Sequence, residues 1–472
     1  IALATAVTVS LLLGHAVRIT TLAVLAAATP TSLPPVSSRS WQVVLVGGAL
    51  AFLGGAGLLI WTAPASADSP GTHPPLTVVS GKRVRLIAID GFDADAYAAA
   101  SGTGTRLETG GVLAALAPQD TSDPARAWTT IATGVTPEVH GVSGIETRRV
   151  AGVQGTIGGE SGAAGRIVRA ATDMLRLTRP SITSREERRA KTLWEVAADA
   201  GLRTAVINWW ATWPATASNG IVVTDRAVLR LERGGALDGE IAPPELYERL
   251  RGAWPTLRQR AAAAAAQAFS TLTDHDVATV LRRSAELDAT IVGLLNALPD
   301  PRRDLDVIYL PGLDIAQHTL LAPAQGAALP SSAMAARIDG LRAYYRFLDA
   351  TLAPLLTHDG DDIVMVVTQP GRVRSSIGGR LTIAVRGAAI DGSGPKDHAS
   401  ATVLDVMPTV MAALGVPLSR ELPGAPLAPF DSSAARRYVD TYGKPNVITA
   451  PRTGQPLDQE MIDRLRSLGY VR

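Results

Sequence analysis

The chain has 472 residues, of which 46% are hydrophobic, and this composition excludes a mainly disordered protein and allows a large buried core. Its 45 basic and 43 acidic residues are well interleaved, so no nucleic-acid-binding surface is evident from charge. The absence of cysteine excludes disulfides, thiolate metal sites and a cysteine nucleophile, so that any metal must be held by Asp, Glu, His or hydroxyl groups.

Two apolar segments open the chain, and they predict a transmembrane region at residues 1–62. The second run, from Trp41 to Trp61, carries no charge and is long enough to span a bilayer. The first run contains Arg18 near its middle, where a charge is costly in a membrane unless it snorkels or pairs. A signal peptide is the alternative for either run, because small residues near Ala65 suit cleavage. We expect a membrane anchor of two helices.

The expected location is therefore a membrane, with the folded domain on the extracytoplasmic side, in the periplasm or at the cell surface. The basic residues around the apolar runs are too few to fix the orientation by charge. Because the chain opens with Ile rather than Met, we expect the sequence to be a fragment of a longer chain.

Three further regions follow the apolar segments. Residues 63–81 are rich in Pro, Ser, Gly and Thr without periodicity, which predicts a linker. Residues 82–430 are predicted to form one folded domain with a helical insertion at about 225–300. Residues 431–472 are predicted to be a C-terminal tail.

Short apolar runs within the domain alternate with helical stretches. The runs that predict buried parallel strands are 85–90, 204–208, 305–310 and 363–368, and the helical stretches are 193–200, the Ala-rich 258–296, and 333–356. This alternation predicts an α/β domain with a mostly parallel sheet covered by helices on both faces. Ligand sites in such sheets lie beyond the carboxyl ends of the strands.

Three segments carry residues that could form a site at the carboxyl edge of the sheet. The first is the strand that ends in Asp90 and Gly91, which delivers a carboxylate to the sheet edge. The second, WTTIATGVTPEVHGV, begins at Trp128 and predicts a helix followed by a turn. The third, GLDIAQH, places Asp314 and His318 four residues apart, so that both can point the same way from one helical turn toward a shared ion. A helix-capping Asp and a surface His are the alternative for the third segment.

Together these segments resemble the type I phosphodiesterase and nucleotide pyrophosphatase family of the alkaline phosphatase superfamily, over roughly residues 82–427. The resemblance implies an alkaline-phosphatase-like mostly parallel sheet between helical layers. It also implies a divalent metal cofactor, usually zinc, at two sites that clamp a phosphoryl group while a Thr or Ser hydroxyl attacks. A phosphodiester or another anionic small molecule is the implied substrate.

By this resemblance the metal ligands are Asp90 at one site and Asp314 with His318 at the other. The first site normally gains a later Asp-His pair, but here that place reads Gln369-Pro370, which supplies neither a carboxylate nor an imidazole. An ion held by so few ligands should bind weakly. His398 is the nearest substitute for a further His of the second site, and a loop histidine is the alternative.

The position expected for the nucleophile also lacks a suitable residue. Counting back from Thr133 by the family spacing gives Pro124, which has no hydroxyl, while Thr121 and Ser122 lie two or three residues too early. Either the turn contains an insertion that restores Ser122 or Thr121 as the nucleophile, or the nucleophile is lost. The Ser-x-Pro-x-Arg pattern from Ser122 to Arg126 also matches sulfatases, so a sulfatase-like hydrolase is a lesser alternative.

Two hypotheses on function remain. The first is a membrane-anchored, metal-dependent phosphodiesterase or phosphohydrolase. The second is a catalytically degenerate pseudoenzyme that serves as a ligand- or protein-binding module. We expect the first to be favoured if Asp359, Asp361 or Asp362 folds into the site and replaces the missing ligands.

Overall fold

A computed structural model describes the protein over thirteen stretches of the domain and tail. They are residues 76–78, 81–101, 112–150, 156–158, 178–216, 219–299, 302–322, 330–356, 362–373, 379–385, 401–431, 437–446 and 458–470. The predicted transmembrane region at 1–62 and nearly all of the predicted linker at 63–81 lie outside these residues. Within the described residues, no helix combines the length and the apolar character needed to cross a membrane.

The strands of the described part form one large sheet and two small ones. In chain order they are β1 (Arg83–Asp90), β2 (Val112–Ala115), β3 (Glu146–Val150), β4 (Thr156–Gly158), β5 (Thr178–Ile182), β6 (Thr204–Ile207), β7 (Gly220–Val223), β8 (Ile241–Ala242), β9 (Leu305–Leu310), β10 (Asp362–Gln369), β11 (Arg380–Val385), β12 (Leu418–Ser419) and β13 (Tyr438–Val439). The large sheet has the order β2-β11-β10-β1-β9-β6-β7-β8. Strands β3, β4 and β5 form an antiparallel sheet, and β12 pairs with β13.

The centre of the large sheet is parallel. Strands β10, β1, β9, β6 and β7 run in one direction, whereas β11, β2 and β8 at the two edges pair antiparallel with their neighbours. In this register Asp90 lies beside Gln369, and Ile89 lies beside Leu310. The carboxyl ends of β1, β9 and β10 therefore meet at one edge of the sheet.

Helices cover both faces of the sheet. In chain order they are α1 (Ala94–Ser101), α2 (Pro124–Thr133), α3 (Pro137–His140), α4 (Leu193–Asp199), α5 (Ala227–Arg233), α6 (Leu246–Ala268), α7 (His275–Ala297), α8 (Gly312–Leu321), α9 (Ser331–Leu356), α10 (Val406–Ala413) and α11 (Asp458–Ser467).

Alternate residues of the central strands enter two separate hydrophobic layers. From β1, Leu86 and Ala88 pack with the layer that contains Trp128 of α2 and Met407 of α10. The intervening residues, Ile87 among them, pack with the layer built from α6 to α9. Side chains of a strand alternate between the two faces of the sheet, and burial on both faces explains why these strands are continuous apolar runs.

The structure confirms the predicted mostly parallel sheet between helical layers, and the four predicted strands match β1, β6, β9 and β10 within two residues at each end. The Ala-rich stretch 258–296 is helical, as predicted, and it is divided between α6 and α7. The break lies before Asp274, whose carboxylate accepts hydrogen bonds from the backbone N–H groups of Asp276 and Val277 and so caps α7.

Candidate functional site

Three turns meet at the carboxyl edge of the sheet. They follow β1, β9 and β10, and they carry Asp90, Asp314 and Arg372. Gly91 permits the first contact: its φ is +79°, and a Cβ atom here would collide with the backbone of Asp314. Gly371 permits the second, since a Cβ atom on it would lie 2.5 Å from Asp314 Oδ1. The predicted ligands Asp90 and Asp314 are thus brought together by backbone turns that need glycine.

Asp90 is 1% exposed and is held by hydrogen bonds. Its Oδ2 accepts from Trp128 Nε1 at 2.9 Å and from the Tyr309 hydroxyl at 2.8 Å, and its Oδ1 accepts from the backbone N–H of Gly91 at 3.0 Å. Burial, together with the charge of Asp314, raises the pKa of Asp90 to about 7, although the hydrogen bonds from Trp128 and Tyr309 oppose the shift. The site therefore favours the protonated form of Asp90 more than water does.

Asp314 is fully buried, and a single arginine occupies both of its carboxylate oxygens. The backbone N–H of Arg372 donates to Oδ1 at 2.8 Å, and Nε of the same residue donates to Oδ2 at 2.8 Å. The Arg372 side chain is itself only 7% exposed. A guanidinium cation thus lies where the family resemblance places a metal ion.

His318 lies on α8, one turn after Asp314, and is half-buried against the C-terminal tail. Burial and the charge of Arg372 lower the pKa of His318, and Asp314 opposes this. A Cβ atom on Gly469 would lie 2.9 Å from His318 Nε2, so the tail backbone closely approaches the imidazole. The predicted ligands Asp90, Asp314 and His318 are neighbours, but the backbone of the C-terminal tail fills the space beside His318.

The C-terminal tail also contacts Arg372 directly. Arg372 Nη1 donates to the carbonyl of Gly469 at 2.5 Å, and the guanidinium lies 3.8 Å above the Tyr470 ring. Such stacking of a cation on an aromatic face is favourable, more so in a buried setting. Helix α11 holds the tail in place by burying Met461 and Leu465 in the hydrophobic layer of Trp128.

The two candidate nucleophiles occupy different environments. Thr121 is 2% exposed, and its hydroxyl donates to the carbonyl of Gly371 at 2.7 Å, which places it beside the turn after β10. Ser122 is exposed and lies within 3.4 Å of Arg126, which forms an ion pair with Asp120. Pro124, the position that the family spacing gives for the nucleophile, is the first residue of α2 and has no hydroxyl.

Gln369 stands at the end of β10, where the family has a carboxylate. It is 1% exposed, and within the described residues neither Oε1 nor Nε2 has a hydrogen-bond partner. Asp362 does not replace it, because Asp362 lies at the opposite end of the same strand and pairs with Arg83 at 2.6 Å. An eight-residue strand separates the two positions by about 23 Å. The other two candidates, Asp359 and Asp361, lie outside the described residues, as does His398.

The described residues do not fit a two-metal centre. Across the stretches that the structure describes, no group of three Asp, Glu or His side chains could hold a metal ion. Asp314 is paired with Arg372, and Asp90 accepts three hydrogen bonds. A metal bound here would have to displace a buried guanidinium from its carboxylate partner.

Sequence reasoning missed four residues that build this site: Trp128, Tyr309, Arg372 and Tyr470. Trp128 stands inside a segment that was noted for its pattern, but the pattern does not say what the side chain contacts. Arg372 carries a usable signal, because it is a cation two residues beyond Pro370, in a turn from which the expected histidine is missing.

Comparisons with known proteins agree with the motifs. A sequence model of the family described as "Type I phosphodiesterase / nucleotide pyrophosphatase" matches residues 84–367, more than half of the chain. No curated protein matches the chain.

Three solved structures align with this chain at low sequence identity. Phosphonoacetate hydrolase from Sinorhizobium meliloti 1021, in complex with phosphonoformate, is 15% identical and covers 61% of this chain, with a TM-score of 0.33; the match spans 56% of the hydrolase. A 2-O GAG sulfatase is 12% identical, with 74% of each chain covered and a TM-score of 0.39. Ps i-CgsB, in complex with k-i-k-neocarrahexaose, is 11% identical and covers 73% of this chain and 74% of its own, with a TM-score of 0.33.

The sequence motifs, the mostly parallel sheet with its carboxylates at the carboxyl edge, and the match over residues 84–367 agree. The chain belongs to the type I phosphodiesterase and nucleotide pyrophosphatase family.

Proposed function

We propose that this chain is a member of its family that does not perform metal-dependent phosphoryl transfer and instead serves as a ligand- or protein-binding module. The observation that supports the proposal is the pair between Arg372 and Asp314, in which one buried arginine engages both carboxylate oxygens.

A metal ion at Asp314 would have to replace the Arg372 cation. The buried guanidinium donates one hydrogen bond to Asp314, the backbone N–H of Arg372 donates a second, and removal of either partner from a buried ion pair is strongly unfavourable. A hydroxyl nucleophile also needs an adjacent base or metal to become reactive. The buried Thr121 hydroxyl donates to a backbone carbonyl, which is neither.

A metal-dependent phosphodiesterase is the second candidate, and the proximity of Asp90 to Asp314 favours it. For this function, His398 together with Asp359 or Asp361 would have to complete the metal sites. Its substrate would be a phosphodiester or another anionic small molecule, and the metal would be Zn²⁺. A sulfatase-like hydrolase has less support, because Ser122 is exposed beside the ion pair of Arg126 and Asp120.

Metal content and turnover decide between the two candidates. The full chain, purified in detergent, is dialysed against Zn²⁺ and then against metal-free buffer, and bound zinc is measured beside turnover of bis(4-nitrophenyl) phosphate. We expect less than one tightly bound ion per chain and no turnover that a chelator abolishes. Two tightly bound ions with chelator-sensitive turnover would refute the binding-module proposal and establish the enzyme.

The apolar runs in residues 1–62 support the further proposal that the protein is anchored in a membrane with its domain on the extracytoplasmic side. Sedimentation of the full chain with membranes at high pH, followed by protease treatment of spheroplasts, tests both parts. Release of the chain by carbonate, or protection of the domain in spheroplasts, would contradict the corresponding part.

A further inference from the structure

The described part of the C-terminal tail, residues 458–470, is a helix and a turn whose backbone hydrogen bonds are local. Helix α11 ends in a turn at Gly469, whose φ is +73°. The backbone N–H of Gly469 donates to the carbonyl of Arg466 at 3.0 Å, and that of Tyr470 donates to the carbonyl of Leu465 at 2.8 Å. These two bonds close the end of a helix without help from the rest of the domain. The turn brings Tyr470 back over the domain.

One face of α11 is apolar and buried against the domain. Met461, Ile462 and Leu465 are each at most 6% exposed, and they lie in the hydrophobic layer of Trp128. Residues three and four apart share a face of a helix, so these positions form one stripe. Charged and polar residues occupy the exposed positions. The tail is therefore a short amphipathic helix that is held to the domain mainly by side chains.

Two ion pairs join α11 to α5. Arg464 pairs with Glu232 at 2.7 Å, and Glu460 pairs with Arg233 at 3.0 Å. The two pairs have opposite directions of charge, so a helix that ran the other way would bring like charges together. Exposed pairs add little affinity, but complementary charges select the orientation and the register of a bound segment.

The aromatic end of the tail covers the carboxyl edge of the sheet. Cζ of Arg372 lies 3.8 Å from the centroid of the Tyr470 ring, and this centroid lies 5.6 Å from that of Trp210. Arg372 Nη1 also donates to the carbonyl of Gly469. The tail thus gives a ring and a backbone carbonyl to the cation that pairs with Asp314.

The tail does not fill the groove in which it lies. This tail groove is formed by α5, α8 and the turns after β6 and β10. A cavity of about 490 Å³, part of which is open to solvent, remains between Leu465 and Leu468 of the tail and the apolar side chains of Val228, Leu287 and Ile315. Unfilled space forfeits packing contacts, so a segment with a larger apolar residue in place of Leu468 should bind better than the tail.

We propose that the tail groove is a docking site for an amphipathic helix of a partner protein, and that the tail occupies the groove as a displaceable internal competitor. The inference names the partner of the binding module proposed above and rests on that proposal. A helix that lays its apolar face in a groove is a common mode of peptide recognition. Because the tail is tethered, its local concentration is high, and the partner must bind more tightly than the tail in order to displace it.

The contacts of the tail give the pattern that the partner helix carries. An acidic residue is followed by two apolar residues, as at Glu460 to Ile462. A basic and then an apolar residue come next after a gap of one, as at Arg464 and Leu465, and three residues later a glycine precedes an aromatic residue. Each position in this pattern corresponds to one of the contacts with α5, the hydrophobic layer or the carboxyl edge of the sheet.

Cysteine labelling measures whether the tail leaves the groove while the domain stays folded. The chain has no cysteine, so Met461→Cys on α11 and Met411→Cys on α10 each introduce a single thiol. Both methionines are buried in the same hydrophobic layer. In the full chain in detergent we expect Met461→Cys to be labelled faster by about tenfold or more, because only α11 has to undock. Equal rates would show that the tail opens only when the whole domain unfolds, and would overturn the proposal.

Peptide binding tests the groove directly. A fluorescein-labelled peptide of residues 458–470 is titrated with the full chain in detergent, and its anisotropy is compared with that in detergent alone. We expect saturable binding that Tyr470→Ala in the peptide weakens by about tenfold and that Leu468→Phe strengthens by about threefold. Ser467→Ala, at an exposed position of the peptide, is the control and should change nothing.

The same substitution in the chain should have the opposite effect. Tyr470→Ala in the full chain weakens the internal competitor, so the unmodified peptide should bind about threefold more tightly. Absence of saturable binding, or weaker binding of the peptide to this chain variant, would overturn the proposal. A dimer of the chain that the peptide dissociates would identify a second copy, not a partner protein, as the occupant and would also overturn it. Zinc content and turnover test the loss of catalysis separately, so a negative peptide result strikes this inference alone.

Discussion

Arg372 Nε lies 2.8 Å from Asp314 Oδ2, and both side chains are almost completely buried. The pair spans 58 residues of sequence and joins the turn after β10 to the first turn of α8. The two charges neutralise each other inside the protein. Removal of either side chain would leave the other as an unpaired buried charge, which is unfavourable.

Removal of the Arg372 charge should therefore destabilise the domain. We expect Arg372→Ala to lower the free energy of unfolding by about 3–5 kcal/mol, because Asp314 is left as an unpaired buried carboxylate. Urea denaturation measures this. Arg342→Ala is the matched control, since Arg342 pairs with Asp339 on an exposed face and should change stability by less than about 1 kcal/mol. Equal effects of the two variants would show that the buried pair does not form.

The close approach of Gly371 to Asp314 predicts a second stability effect. Gly371→Ala places a Cβ atom 2.5 Å from Asp314 Oδ1 and 2.8 Å from Gly91 Cα, at a φ of +72°. Gly201→Ala is the control, with a φ of +87° and nothing within 4 Å of the added atom. We expect about 1–2 kcal/mol for the control, from backbone strain alone, and a distinctly larger loss for Gly371→Ala. Thermal unfolding of both variants tests this, and equal losses would contradict the packing of the three turns.

His140 predicts a pH dependence of stability. Burial first, and then the charge of Arg188, lower the pKa of this fully buried imidazole to about 4. In the unfolded chain the pKa is about 6.5, so as the pH falls from 6.5 toward 4 the unfolded state takes up a proton that the folded state refuses. The contribution of His140 to the free energy of unfolding should be complete above pH 6.5 and should fall by about 3 kcal/mol by pH 4.

The variant His140→Asn isolates this contribution. The amide can accept the hydrogen bond that Val142 N–H now donates to Nδ1 of His140 at 3.1 Å, but it does not titrate. The difference in unfolding free energy between the unmodified protein and the variant, measured from pH 7.5 to 4.5, should shrink as the pH falls. A constant difference would mean that His140 does not titrate in this range. Asp90, whose pKa shifts upward, changes stability with pH in the opposite direction in both proteins and cancels in the comparison.

Restoration of two-metal binding should require more than the missing ligand pair. Gln369→Asp with Pro370→His returns the family residues of the site that contains Asp90, but at the other site Arg372 still occupies the carboxylate of Asp314. We therefore expect the double variant to bind at most one Zn²⁺ ion per chain, and the triple variant with Arg372→Ala to bind a second. Isothermal titration with Zn²⁺ measures both. Two tightly bound ions in the double variant alone would show that the arginine does not compete with the metal.

Short-range patterns in the sequence account for the sheet and for where its carboxylates lie. Strands β1 and β9 are buried on both faces over most of their length, so apolar residues predominate in each. Because parallel strands present their carboxyl ends at one edge, the sequence alone predicts that Asp90 and Asp314 lie close together. The sequence also shows that Gln369 and Pro370 replace the family residues, since the family spacing gives the positions that should carry ligands.

Only the tertiary structure decided which side chain pairs with Asp314. Arg372 reaches Asp314 because two glycine turns let the backbones approach, and Tyr470 reaches Arg372 from the far end of the chain because α11 buries apolar side chains in the layer of Trp128. None of these contacts has a sequence period or a fixed spacing. The pattern of residues along a strand or helix fixes which face is buried, whereas a contact between residues distant in sequence depends on how whole layers pack.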